Sequence, residues 1–144
     1  MAIDLFSASI TVCERVLQEG NGLLSGIRIV DLVTIPKIPA QIQAHSIVLI
    51  KANSPSKHHL FEITAENPNR SLAIVTPLGD PLYIDMSAAS ELATKPGAQI
   101  AVQLGINADQ VGTYIFRVLI DKQEVAATAV TLRLPPSPQS STNL

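Results

Sequence analysis

The chain has 144 residues, of which 47% are hydrophobic and 15% charged, and a net charge of −2. A domain of that length buries about 70% of the surface its unfolded chain exposes, so a full core forms without disulfides or metal. Residues 1–72 carry six basic and six acidic side chains and residues 73–144 four and six, with no window of clustered Lys and Arg. That excludes the basic field by which nucleic-acid-binding proteins neutralise phosphates.

With no Trp, two Tyr and three Phe, the core has to be built from Val, Ile, Leu and Ala. Cys13 is the only cysteine, which rules out an internal disulfide and a Cys-rich zinc site. Met1-Ala2-Ile3-Asp4 has no basic region ahead of an apolar stretch, and no apolar run approaches a membrane span. The expectation is a reduced, cytoplasmic protein that does not enter a membrane.

Strand signals dominate along the chain. In residues 5–13, Phe6, Ala8, Ile10 and Val12 alternate with Ser7, Ser9 and Thr11, the period of a strand with one wet face. Glu14 to Glu19 is open to a helical turn, though too short to stand alone. Gly20-Asn21-Gly22 marks a turn. Ser25 to Ile35 is β-rich and stops at Pro36-Lys37-Ile38-Pro39, where two prolines interrupt any ladder.

Ser46 to Asn53 and His59 to Asn67 read as a hairpin joined by Ser54-Pro55-Ser56-Lys57. In the second arm Phe61, Ile63 and Ala65 oppose Glu62, Thr64 and Glu66. Asn67 to Ser71 is a turn, and residues 72–84 hold two short apolar pieces split by Pro77-Leu78-Gly79-Asp80-Pro81. Residues 86–95 fit a helical turn or a loop.

Ala98, Ile100, Val102, Leu104 and Ile106 form another period-two run. Gly112 opens a further one, with Tyr114, Phe116, Val118 and Ile120 in phase, and Asp121-Lys122-Gln123-Glu124 turns it into a last strand, Val125 to Leu134. The Pro- and Ser-rich stretch 135–144 is expected to be a disordered tail. The fold expected is therefore all-β, an immunoglobulin-like antiparallel β-sandwich of seven or eight strands in one domain, 1–134.

Two patterns support this. Tyr114, near the start of a late strand, is placed to bond back to upstream backbone as in a tyrosine corner, with Phe116 where an antibody domain has its second cysteine. Asp109 lies three residues before Gly112, one more than the usual spacing. The stretches Cys13-Glu14-Arg15-Val16-Leu17-Gln18-Glu19, Ser25-Gly26-Ile27-Arg28-Ile29-Val30-Asp31 and Gly112-Thr113-Tyr114-Ile115-Phe116-Arg117-Val118 form a second pattern. With their flanks they resemble a family of small uncharacterised bacterial proteins, a domain of unknown function. That resemblance implies an immunoglobulin-like sandwich and a bacterial or phage origin, and it carries over no catalytic residue.

No catalytic, cofactor-binding or metal-binding set emerges. Glu14, Arg15, Arg28 and Asp31 sit in or beside apolar strand sequence and read as structural ion pairs; the functional alternative makes Arg28 an anion ligand. Arg28 and Asp31 are three apart, so a regular strand puts them on opposite faces. His45, His58 and His59 read as solvated histidines at loop ends; a shared metal would need His45 to meet the other two across the 45–59 hairpin. Cys13 reads as a buried structural thiol, since a nucleophile would need a base and an orienting group. Asn69-Arg70-Ser71 fits a glycosylation sequon, and Thr142-Asn143-Leu144 has the form of a C-terminal PDZ ligand, both short enough to arise by chance.

The first functional expectation is a non-enzymatic interaction or assembly module, acting through an exposed sheet face or edge on a protein partner or on itself. Ile47 and Leu49, with Lys51, and Ile115 and Leu119, flanking Arg117, make the outward phases of two strands apolar. If all four lie on one sheet face, they form a patch; the plainer reading is that a loop or further core covers them. The second expectation is a small-ligand or carbohydrate-binding sandwich using loops 36–45 and 77–95, for which Trp and Tyr are scarce. An enzyme ranks last.

Overall fold

The structure, a computed structural model, describes residues 6–20, 24–52, 56–71, 74–75, 82–86 and 97–136. Among the described residues there are ten strands: β1 (Phe6–Gln18), β2 (Leu24–Ile29), β3 (Leu32–Thr34), β4 (Ala40–Ala52), β5 (Ser56–Glu66), β6 (Ile74–Val75), β7 (Leu82–Met86), β8 (Gly97–Ala108), β9 (Gly112–Ile120) and β10 (Gln123–Arg133). Among the described residues there is no helix, and so none long and apolar enough to cross a membrane. The count exceeds seven or eight because β3 and β6 have only three and two residues.

The strands form two sheets, ordered β2-β1-β4-β8-β6 and β3-β10-β9-β5-β7. Every pairing is antiparallel except β3 against β10. With β1, β4, β6 and β8 as strands A, B, D and E, and β5, β9 and β10 as C, F and G, the order is the ABED and GFC arrangement of an immunoglobulin-like sandwich. One departure is that β6, in the D position, precedes β7, the strand added beside β5.

Period two decides what is inside. Ile10 and Val12 of β1, Val48 and Ile50 of β4, Phe61 and Ile63 of β5, and Leu104 and Ile106 of β8 are buried in one cluster. Tyr114, Phe116, Val118 and Ile120 of β9 and Val130 and Leu132 of β10 complete it. Each large aliphatic or aromatic side chain so buried contributes about 1.5–3 kcal/mol, so this single cluster is the main source of stability. Tyr114 and Phe116 are its largest fully buried side chains. The Tyr114 hydroxyl donates to the carbonyl of Gln110 at 2.9 Å. This is the tyrosine corner expected from the sequence, closed four residues upstream. Buried Ser46 is satisfied by donating to the Val102 carbonyl at 3.2 Å.

Two local expectations are corrected. Glu14 to Gln18 is not a helical turn but the far end of β1, paired with β2 from Arg15↔Ile27 to Gln18↔Leu24. The ladder consumes the backbone groups that a short helix would leave unpaired. Ser46–Asn53 and His59–Asn67 are not the arms of a hairpin. β4 pairs with β1 and β8, and β5 pairs with β9 and β7 in the other sheet, so the chain crosses between sheets at this link. Residues 87–95 of the ambiguous 86–95 segment, and 137–144 of the tail, lie outside the described residues.

The β9–β10 hairpin turns on two residues, Asp121 and Lys122, with φ of 50° and 69°. Two positive φ values are the mark of the turn whose twist matches the flanking strands. A second turn follows β5. Asn67 Oδ1 accepts from the N–H groups of Asn69 and Ser71, each at 2.9 Å, and Arg70 takes φ 64°. Pro68 of this turn presses on Gly112, whose φ is 130°, so closely that a Cβ there would lie 2.8 Å from Pro68 Cγ.

Candidate functional site

The two outer faces of the sandwich differ in kind. On the second sheet, Glu62, Thr64 and Glu66 of β5 lie beside Leu119, Arg117 and Ile115 of β9, which lie beside β10. Arg117 reaches Glu66 at 2.9 Å and Glu124 at 2.7 Å, and Lys122 reaches Glu62 at 3.0 Å. The Glu66 carboxylate first, then Glu124, hold the Arg117 guanidinium above its ordinary value. Ile115 stands in register between Glu66 and Ala129, and Leu119 between Glu62 and Glu124. This face is a lattice of ion pairs with two half-buried aliphatic side chains inside it.

Among the described residues, the part of the first sheet's outer face built by β4, β8 and residues 6–12 of β1 is almost without charge. Antiparallel register aligns Ser9, Leu49 and Gln99 in one row, and Thr11, Ile47 and Ala101 in the next. Beyond them come His45 opposite Gln103, Gln43 opposite Gly105, and Gln41 opposite Asn107. Lys51, at one end, is the single Lys or Arg among these positions, and none is acidic. Leu49 is 44% exposed. Gln103 Nε2 donates to Gln43 Oε1 at 3.3 Å. Where Gly105 faces Gln43 the seam carries no side chain, and the surface sinks into a hollow of about 380 Å³ edged by Gln41, Gln43, Gln103 and Asn107.

Ile47 is half covered, because β2 folds over this face. A Cβ on Gly26 would lie 3.4 Å from both Ile47 Cδ1 and Cys13 Sγ. The same cover buries Cys13 completely, outside the central cluster. Burial pushes the thiol up, and the Ile27 backbone hydrogen bond only partly opposes it. His45 Nδ1 meets the Glu14 carbonyl at 3.0 Å.

The four apolar positions singled out in the sequence do not lie on one face. Ile47 and Leu49 belong to the first sheet and Ile115 and Leu119 to the second, because β4 and β9 take opposite sides of the core. Of the four charges, Arg28 pairs with Glu14 at 3.3 Å, both side chains well exposed. That is a surface pair worth about 0–1 kcal/mol, between strands whose register pairs Cys13 with Ile29 and Arg15 with Ile27 on either side of it. Among the described residues Arg15 and Asp31 form no ion pair, and Asp31 contributes its carbonyl to the N–H of Thr131.

The histidines are not brought together: β4 carries His45 in one sheet and β5 carries His59 in the other. The side chain of His58 lies outside the described residues. His59 is not a solvated loop-end histidine; it is buried. Its Nδ1 lies 2.7 Å from Asp121 Oδ2, and Phe6 stands edge-on to its ring at 5.1 Å. Among the described residues no group of three His, Cys, Asp or Glu side chains is arranged to hold a metal ion.

Gln41, Gln43, Gln103 and Asn107 were not singled out as a site from the sequence. Their signal was present as carboxamides confined to one phase of each strand, positions 41 and 43 and positions 103 and 107, with Ile42, Leu104 and Ile106 in the other. That pattern says outward-facing, and only the register says that they meet.

A model of a family described as a family of unknown function, DUF6941, matches residues 8–133. No curated protein matches the chain. Among solved structures, similarity extends to the CARDB domain of a Pyrococcus furiosus protein in complex with di-metal ions. The identity there is 13% and the TM-score 0.48, covering 90% of this chain and 89% of that one. The alkylpurine DNA glycosylase AlkC of Pseudomonas fluorescens, bound to DNA containing an abasic site analog, matches at 11% identity and a TM-score of 0.47. That match covers 89% of this chain and 30% of the glycosylase.

Proposed function

Since the chain belongs to the DUF6941 family, whose function is unknown, we propose from geometry that it is a non-enzymatic assembly module. It associates with a second copy of itself through the Leu49 end of the first sheet's outer face. The observation that carries this reading is the contrast between the two faces. Burying the second sheet's face means desolvating Arg117, Lys122, Glu62, Glu66 and Glu124, a cost that ion pairing recovers poorly. Burying the rows of Ser9, Leu49 and Gln99 and of Thr11, Ile47 and Ala101 desolvates no ionised group.

Interface centres are depleted of charge in the same way. Lys51, one row beyond Leu49, is the one charge at this end and sits at its rim, and the Gln and Ser groups inside it both donate and accept, so a two-fold axis matches them to themselves. The single buried thiol suits a reducing compartment, and the module is proposed to act in the cytoplasm.

The test is mass by light scattering and sedimentation for wild type, Leu49→Lys and Ile115→Lys. A dimer that Leu49→Lys converts to monomer and Ile115→Lys leaves intact is expected. A wild type that stays monomeric at high concentration overturns the reading, as does a dimer untouched by Leu49→Lys.

A further inference from the structure

We propose that the hollow at the other end of this face, between β4 and β8, is a binding site for a neutral oligosaccharide. It does not rest on the assembly reading. Gln43 is six residues from Leu49 along β4, about 20 Å at roughly 3.3 Å per residue.

The hollow measures about 380 Å³, inside the usual range of about 300–1,000 Å³ for ligand sites. Its floor is backbone, because the side chains of Leu104 and Ile106 are buried in the core. Its walls are the carboxamides of Gln41, Gln43, Gln103 and Asn107. Gln41 and Asn107 also border an adjoining hollow of about 260 Å³ that runs to Pro39 and Asp109, so the two form a trough.

Three features select the ligand class. First, each carboxamide offers two donors and an acceptor, which suits hydroxyl groups that do both. Second, β4 and β8 pair with each other along the whole hollow, from Gln41↔Asn107 to His45↔Gln103, so the backbone groups between them are already used. An extended peptide binds by adding to a free edge, and the seam between these two strands offers none. Third, among the described residues no aromatic side chain lines the trough, which leaves a nucleobase nothing there to stack on. Among the described lining residues the one charged side chain is Asp109 at the far end, which disfavours acidic sugars. Without a stacking ring the affinity is modest, with Kd on the order of millimolar.

The test is a nitrogen-15 NMR titration of the full chain with cello-, malto-, xylo- and chito-hexaoses, alongside oligogalacturonate, a nucleotide and an alanine-rich peptide. At least one neutral oligosaccharide should shift the side-chain NH₂ signals of Gln41, Gln43, Gln103 and Asn107 and the Gly105 amide. The double variant Gln43→Ala/Gln103→Ala should weaken that binding at least fivefold, with the rest of its spectrum reporting an intact fold. The proposal is overturned if no neutral oligosaccharide moves these signals, if the shifts survive in the double variant, or if oligogalacturonate, the nucleotide or the peptide moves them as strongly.

Discussion

His59 and Asp121 lie 62 positions apart, yet His59 Nδ1 stands 2.7 Å from Asp121 Oδ2. The carboxylate only accepts, so the ring N–H donates. The other carboxylate oxygen takes the N–H of Leu60 at 2.9 Å, and the Asp121 N–H goes to the Leu60 carbonyl at 2.9 Å. One turn residue thereby fastens the β9–β10 hairpin to β5.

Burial, the largest influence on the Asp121 carboxyl, pushes it up. The hydrogen bonds from His59 and the Leu60 N–H, with the attraction of the ring, outweigh burial and hold it below its ordinary value. Unfolded, it titrates near about 3.9. With the folded value lower, the stabilisation is complete above the unfolded value and fades as pH falls through the folded one. Asn tolerates the positive φ of this position and still accepts from Leu60. Melting temperatures of wild type and Asp121→Asn should therefore differ fully above about pH 5, and the gap should shrink as pH falls below the unfolded value of about 3.9. A gap constant over that range refutes the pairing.

Tyr114→Phe removes one hydroxyl hydrogen bond, at about 0.5–1.5 kcal/mol. Phe116→Ala empties a fully buried core position, at about 3–5 kcal/mol. Denaturant melts should rank them in that order, and the reverse order contradicts the packing of β9.

Gly112→Ala meets two penalties, the φ of 130° and the contact with Pro68, and should cost about 1–3 kcal/mol. Gly20→Ala, with nothing within 4 Å of its added Cβ, is the control and should change stability by under about 0.5 kcal/mol. Equal effects from urea titrations of the two variants count against the Pro68 contact.

Cys13 is fully buried beneath β2, and burial disfavours its thiolate. Ellman's reagent at about pH 8 should label the folded protein at least ~10-fold more slowly than the urea-unfolded chain. Gly26→Leu, which forces β2 off Cys13 and Ile47, should speed labelling of the folded form. Equal rates in wild type, folded and unfolded, mean that β2 does not seal this site.

The sequence by itself determined what each strand does with its side chains. Alternation in Phe6 to Val12, Phe61 to Ala65 and Tyr114 to Ile120 separates inside from outside, because successive residues on a strand point to opposite faces. Tyr114 announced its corner, and Asp121-Lys122-Gln123-Glu124 the turn that the structure narrows to its first two residues, because both are local chemistry. Tertiary structure alone decided which strands are neighbours. A period-two pattern is satisfied by any partner that covers its apolar face, so it did not reveal that β4 and β5 part into different sheets. Nor did it reveal that Ile47 and Ile115 face opposite ways. Glu14 to Gln18 became strand because β2 supplied a ladder, a partner no short window contains. Gln41 meets Asn107, and His59 meets Asp121, only through register fixed by the whole core, since the contacts that align distant strands are made by residues far from them in the chain.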